Sequence, residues 1–367
     1  MQQADRPARP AAGGGPGPPH GRGPLVQRVR ATLVAGGSWV VCRLPERPLV
    51  AMAEVTGDLR YRLIPGRAAL ARANLRRVVS WMDEHQVGPA SARQAAHDDG
   101  ALERLVRSAF RHHARYYLEV LRTPGMTPGY LAERAAPDDP GLLDGLFEQD
   151  RPLVFVGLHF GAIELPALYL AQRYGRPFVG PMETIDDPPL QDWFRRTRGS
   201  VGVRIIGLRE ARRELSAAIR RGEPVGLVAD RDLTGGGIET ELFGHRAPMP
   251  AGPALIVLDS DALVAAVAVR RTEPGHYRAE IIPLTMPVEG DRRARVTRFL
   301  ELEARAFEQL IAGAPDQWWA VFFPIWPDLR PERPGRRGSP AGRGRAPDGG
   351  RGGPPGRSDD AADGGAP

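Results

Sequence analysis

"VFVGLHFGAIELPALYLAQRYG", Val154–Gly175, decides the fold. It opens as a continuous apolar, β-rich run of the kind buried in a parallel sheet and closes with a helical pattern behind a proline. Pro166 is tolerated only in the first turn of a helix, so the helix begins near Ile163 to Leu165 and His159 stands at the carboxyl end of the strand. Gly161 permits the tight turn between them. On one continuous helix His159 and Glu164 would point about 140° apart, whereas a strand–turn–helix joint lets the carboxylate fold back onto the imidazole. A histidine held in that way is a general base for a weak nucleophile such as an alcohol, the carboxylate fixing its tautomer. A histidine satisfied by packing at a strand end is the other reading, and H-x-x-x-x-E alone does not choose between them. No G-x-S-x-G elbow occurs, which leaves a covalent serine route without a nucleophile and favours direct transfer to a bound hydroxyl.

Outward from this stretch the chain divides by pattern. Beyond "APDDPG" the runs "PLVFVGLH", "PFVGPM", "VRIIGL", "PVGLVAD", "ALVAAVAV" and "YRAEIIPL" are mostly separated by helical segments. The expectation is an α/β fold, a mostly parallel sheet flanked by helices, over residues 137–330. Ligands of such sheets bind at the carboxyl ends of the strands. Residues 25–136 read as a helical N-terminal portion, with "GRAALARANLRRVVSWM" and "GALERLVRSAFRHHARYYLEVLR" carrying the periodicity. "ARVTRFLELEARAFEQLIAGAP" is a long amphipathic helix, and "DQWWAVFFPIWPD" ends the folded part with three of the six tryptophans. Core packing accounts for most of these rings, with a bilayer boundary as the alternative.

The 367 residues are 42% hydrophobic, enough for a substantial core. Gly and Pro crowd the ends, so residues 1–24 and the Arg/Gly/Pro-rich 331–367 are expected to be disordered tails. There is no lysine: all 50 basic residues are arginine, which excludes a P-loop lysine and a lysine Schiff base. The net charge of +6 suits anionic partners, whether phospholipid head groups, nucleic acid or a phosphorylated carrier. The single cysteine, Cys42, excludes an internal disulfide and fits a reducing compartment. "ATLVAGGSWVVC", Ala31–Cys42, is flanked by Arg28, Arg30 and Arg43. It falls short of the roughly 20 residues of a spanning helix and reads either as an interfacial helix or as an ordinary core helix. His112 and His113 are adjacent and diverge on a helix, and Cys42, His20, His97 and His276 show no ligand spacing, so no metal site is expected.

"VGLHFGAIELPALYLA", with "GLVADRDLTGGGIETELFGHRAPMPAGPALIVLDSDALVAAVAV" some seventy residues on, resembles the lysophospholipid-type acyltransferases. The likeness is strongest to the branch of bacterial lipid A lauroyl acyltransferase and actinobacterial phosphatidylinositol mannoside acyltransferase. It extends to "WVVCRLPERPLVAMAEVTGDLRYRL", "ARANLRRVV" and "HHARYYLEVLR", and so covers about Leu25 to Asp328. The resemblance implies a glycerolipid acyltransferase-like fold whose helical portion lies next to the membrane. It also implies His159 as general base and Glu164 as the acidic member of its motif, although many relatives carry Asn-Trp-Asp where this chain has Ala-Ile-Glu. Glu183, in "VGPMETIDDPPL", lies where the mannoside branch has a second glutamate, and is either a partner of the imidazole or a loop acid. Arg195 and Arg198 fit the place of an arginine that meets a polar head group, Arg198 the better. Asp230, Arg231 and Asp232 stand at a strand end beside His159 if the sheet is parallel, there to hold sugar hydroxyls or, for the carboxylates, to arrange Arg231. Amides near Gly161 or an arginine are the expected donors to an oxyanion.

The implied reaction moves a fatty acyl group, palmitoyl by resemblance, from acyl-CoA or an acyl carrier protein thioester to the mannose 6-hydroxyl of a phosphatidylinositol mannoside. No metal or bound cofactor is called for, and the implied location is peripheral, on the cytoplasmic face of the cell membrane at an anionic surface. The alternatives are lysophospholipid or a lipid A precursor as acceptor and, from another class, RNA binding through the Arg/Gly tails; no nucleic-acid partner is expected.

Overall fold

The computed structural model describes residues 23–329 apart from Thr184, Arg209 and Thr234. The two expected tails lie outside the described residues, save Gly23 and Pro24, where the first helix begins. Six helices come first: α1 (Pro24–Val41), α2 (Glu46–Leu63), α3 (Pro65–Glu84), the short α4 (Ala90–Arg93), α5 (Asp99–Arg122) and α6 (Pro128–Arg134). Then follow β1 (Ala135–Pro137), α7 (Pro140–Glu148), β2 (Leu153–Gly157), α8 (Leu165–Tyr174), β3 (Phe178–Met182), α9 (Pro188–Gly199), β4 (Val203–Gly207), α10 (Ala211–Arg220) and β5 (Val225–Val228). The hairpin β6 (Ile238–Leu242) and β7 (His245–Met249), α11 (Gly252–Ser260), β8 (Leu263–Glu273), β9 (His276–Leu284) and α12 (Arg292–Ala312) complete the order. Asp98, Thr127, Asp139, Asp187 and Asp291 cap α5, α6, α7, α9 and α12 with side-chain oxygens on first-turn amides, which fixes where those helices start.

Seven strands form one sheet in the order β1-β9-β8-β2-β5-β3-β4. Every pair is parallel except β8–β9, so the α/β architecture with a helical N-terminal part stands as read. β2 is interior, and Leu153 to Val156 are all buried, which explains their unbroken apolar run. α8 starts at Leu165 with Pro166 in its first turn, as the proline dictates. The aromatic end packs inward, with Trp318 and Trp326 fully buried and Trp319 only 7% exposed.

The helical portion is joined to itself by backbone contact. A β-carbon on Gly57 of α2 would stand 2.6 Å from Arg111 Cα and 2.7 Å from the Phe110 carbonyl oxygen of α5, so only glycine lets these helices approach. Beside it Asp58 accepts from Arg107 at 2.7 and 2.5 Å and from Arg111 at 2.8 and 2.9 Å, and these bonds hold its carboxyl far below the usual range. On α1 and α2 the outward faces are apolar: Leu25, Val29, Leu33, Trp39, Met52, Val55, Leu59 and Leu63 are all exposed. No described helix is long and apolar enough to cross a membrane. Gly57→Leu is expected to force α2 off α5 and cost about 2 kcal/mol, measured as a lower urea midpoint by circular dichroism; an unchanged midpoint would mean that the close approach contributes nothing.

Candidate active site

The site is built by strand register. In the parallel pairing of β2 with β5, Gly157 stands opposite Val228, so two residues further along both chains His159 meets Asp230. Asp230 Oδ1 lies 2.6 Å from His159 Nδ1, and Asp230 Oδ2 accepts from the His159 backbone amide at 2.9 Å and from the Trp318 indole at 2.7 Å. A carboxylate only accepts, so Nδ1 is the nitrogen that donates, and in the neutral ring Nε2 is the one that keeps its lone pair. Asp230 is 1% exposed at its side chain and His159 17%. Burial pushes the Asp230 carboxyl up, but the His159 ring together with the three donated bonds outweighs it and holds the group below the usual carboxylate range.

This corrects the expected partner. Glu164 does not turn back onto the imidazole: it precedes α8 and makes a two-pronged ion pair with Arg198 near the end of α9, at 2.7 and 2.5 Å, both side chains being largely buried. Burial works against the Arg198 charge, and the facing Glu164 more than restores it. Glu183 is exposed and lies 3.7 Å from Arg231 rather than on the ring. Asp230, expected to hold sugar hydroxyls or to arrange Arg231, is the carboxylate hydrogen-bonded to the His159 ring.

The turn after His159 is clamped on every side. Phe160 N–H donates to Leu158 O at 2.7 Å, Gly161 N–H to Gln317 O at 2.9 Å and Ala162 N–H to Val269 O at 3.0 Å. Gly161 has φ +49°, and a β-carbon there would fall 1.9 Å from Val269 O. Its own carbonyl accepts from Arg271 at 2.8 Å, while Arg271 is paired with Glu119 through two 2.6 Å bonds. With its amide and carbonyl both occupied, Gly161 is a turn residue whose own amide is not open to an oxyanion.

His159 opens on a cleft of about 390 Å³ lined by Glu164, Arg198, Arg231, Glu183, Tyr116, Trp319 and Phe323 at its polar mouth. Its floor is the sheet itself. Gly180 of β3 and Gly226 of β5 stand side by side in register with Phe155 of β2, and Gly157 follows two residues on, so backbone replaces side chains there. A further small cavity of about 30 Å³ lies under β2 and β8 and shares Phe155, Pro166, Val267 and Val269 with the cleft; its lining is almost wholly apolar. Charge and hydrogen-bonding groups therefore gather at one end and hydrocarbon at the other.

The remaining predicted residues separate. Arg231 lines the cleft, stacked 3.8 Å over Phe323, and burial lowers its pKa. Asp232 accepts from the amides of Gly235 and Gly237 at 3.0 and 2.8 Å and thereby shapes the glycine loop. Arg195 is exposed in a separate crevice with Asp192 and Arg204. Sequence reasoning did not single out Trp318, Gln317, the Arg271–Glu119 pair or Glu303. Glu303, on α12, is fully buried with neither oxygen hydrogen-bonded among the described residues, and burial, then the nearby Asp230 charge, raises its pKa well above the usual value. The available signal was polar atoms in apolar frames: a buried tryptophan seeks a partner for its N–H, and "FLELEARAF" puts an acid on a core face.

Glu164→Gln leaves Arg198 buried against a neutral group and is expected to lower unfolding stability by about 3 kcal/mol, most of it recovered in the Glu164→Gln, Arg198→Met double variant. Chemical denaturation of the two variants checks this; an unaltered single variant would mean the pair is not structural.

Two comparisons bear on this geometry. A protein of Mycolicibacterium smegmatis named phosphatidylinositol mannoside acyltransferase is 29% identical over 324 residues, 87% of this chain and 99% of its own length. One of the same name from Mycobacterium tuberculosis is 29% identical over 220 residues, 58% of this chain and 68% of its own. The profile of the bacterial lipid A biosynthesis acyltransferases spans residues 24–324, taking in the helical portion, His159, Asp230 and the tryptophan that joins them. Over nearly all of its described length, then, the chain is a member of the bacterial lipid A biosynthesis acyltransferase family.

Proposed function

We propose that this protein transfers a fatty acyl group, palmitoyl in the first instance, from an acyl thioester to a sugar hydroxyl of a phosphatidylinositol mannoside-type glycolipid. The observation that carries the reading is the oriented His159–Asp230 pair, its imidazole on a cleft with charged side chains at its mouth and an apolar floor. The names of the relatives support the acceptor.

His159 Nε2 takes the proton of the acceptor hydroxyl as its oxygen bonds to the thioester carbon. The carbonyl π pair moves onto oxygen, and Asp230 stabilises the imidazolium without taking a proton. Collapse of the oxyanion reforms the carbonyl, breaks the C–S bond and releases a thiolate, which takes the proton back from Nε2. One ester forms, one thioester breaks, and the base is regenerated. Arg231, at the mouth, suits a phosphate of donor or acceptor, while the apolar floor of the cleft suits the acyl chain.

Incubating the protein with radiolabelled palmitoyl-CoA and a panel of phosphatidylinositol mannosides, lysophospholipids and lipid A precursors tests the reading. Product is expected on the mannosides, abolished by His159→Ala and lowered about 10⁴-fold in kcat by Asp230→Asn. Product on another acceptor would reassign the substrate, and activity untouched by His159→Ala would remove the base.

The exposed apolar faces of α1 and α2, among arginines, support seating on an anionic membrane surface at the cytoplasmic side. The full chain is expected to float with phosphatidylglycerol-containing vesicles, and the Leu33→Glu, Trp39→Glu double variant to stay below; equal flotation of both would sink this mode of attachment.

A further inference from the structure

Acyl transfer to a hydroxyl passes through an oxyanion that needs a hydrogen-bond donor. The four successive amides from His159 to Ala162 are all taken, by Asp230, Leu158, Gln317 and Val269. A side chain on the cleft can supply the donor instead. Arg198 is committed to Glu164, and Arg231 is stacked on Phe323 and 3.7 Å from Glu183, its Nε buried with no hydrogen-bond partner among the described residues.

Trp319 remains. Its backbone N–H donates to His159 O at 3.0 Å, so the two residues are held as a unit. Its indole centroid is 4.6 Å from that of the imidazole, with the rings at 73°. Tyr116 and His113 stack on the indole at 4.7 and 5.5 Å and fix its orientation. The side chain lines the cleft, the residue is 7% exposed, and Nε1 is buried with no hydrogen-bond partner among the described residues. An indole can only donate, and a buried donor left unpaired is destabilising. By contrast the adjacent Trp318 spends its N–H on Asp230. A donor kept unsatisfied beside the general base is what a site needs when the acceptor arrives with the substrate.

We propose that Trp319 is a catalytic residue whose indole N–H donates to the thioester carbonyl oxygen, a bond that strengthens as that oxygen gains charge. The proposal rests on the acyl-transfer reading above and adds the group that receives the electron pair. The neutral donor takes no proton away: the π pair settles on oxygen beside Nε1–H and returns when the C–S bond breaks.

Two variants separate donation from packing: Trp319→Phe keeps an aromatic ring without the N–H, and incorporation of β-(3-benzothienyl)alanine at position 319 keeps the bicyclic shape with sulfur in place of N–H. Both are expected to lower kcat for palmitoyl transfer roughly 10²-fold with KM little changed. Retention of kcat by the benzothienyl protein would overturn the proposal in favour of packing, and a rise in KM alone would overturn it in favour of acceptor binding. A second readout needs no turnover: with ¹⁵N-labelled indoles, 2-oxoheptadecyl-CoA, a ketone that cannot transfer its chain, is expected to move downfield the resonance that Trp319→Phe removes. An indole that stays put while the ketone binds would also overturn the proposal. A shifted indole in a protein without transfer to any acceptor would instead count against the acyl-transfer reading and leave the contact standing.

Discussion

The Asp230 carboxylate accepts hydrogen bonds from the His159 amide, the His159 ring and the Trp318 indole, and through them it ties three distant parts of the chain into one point. The end of β5 supplies the acceptor, the end of β2 two donors, and the segment after α12 the third. Each bond to a buried carboxylate is charge-assisted, and losing one partner would leave the others with an imperfectly solvated charge. The ring tautomer, the turn after His159 and the seating of the aromatic C-terminal segment are therefore consequences of one group. Gln317 repeats the device with neutral partners, its side chain exchanging bonds with both backbone groups of Arg271 while its carbonyl holds Gly161.

Around this point the protein keeps its charges in pairs. Glu164 faces Arg198 across α8 and α9, and Arg271 faces Glu119 across β8 and α5. Neither pair reaches the imidazole, yet each fixes an element that carries a wall of the cleft. Glu303 is the exception, an acid with no cation and no hydrogen-bond partner among the described residues. Burial and the Asp230 charge push the Glu303 carboxyl up, while the His159 ring and the donated bonds hold Asp230 down, so the two acids are driven in opposite directions.

The fold was legible where local rules are strong. Pro166 marked the helix start within a residue, and the unbroken apolar run from Leu153 marked an interior strand. His159 and the strand-end position of Asp230 were legible as well. What failed was pairing: spacing along the chain pointed to Glu164, five residues away, whereas register across the sheet delivered Asp230, seventy-one residues away. A spacing rule measures contour length, and only the strand order β8-β2-β5 converts a distant residue into a neighbour. The tryptophans were legible as core, but which N–H would be bonded and which left open depends on side-chain rotation, about which sequence is silent.

The glycine floor of the cleft has a consequence for how this protein can vary. At Gly157, Gly180 and Gly226 the side chain has already been reduced to hydrogen, and a β-carbon on Gly226 would come within 2.5 Å of the Phe178 ring. Room along that floor is at its upper limit, so mutation at these three positions moves capacity in one direction only. A descendant that needed a deeper groove would have to find it at the larger side chains, Phe155 or Phe178, whose trimming opens space at the expense of the core beneath the sheet.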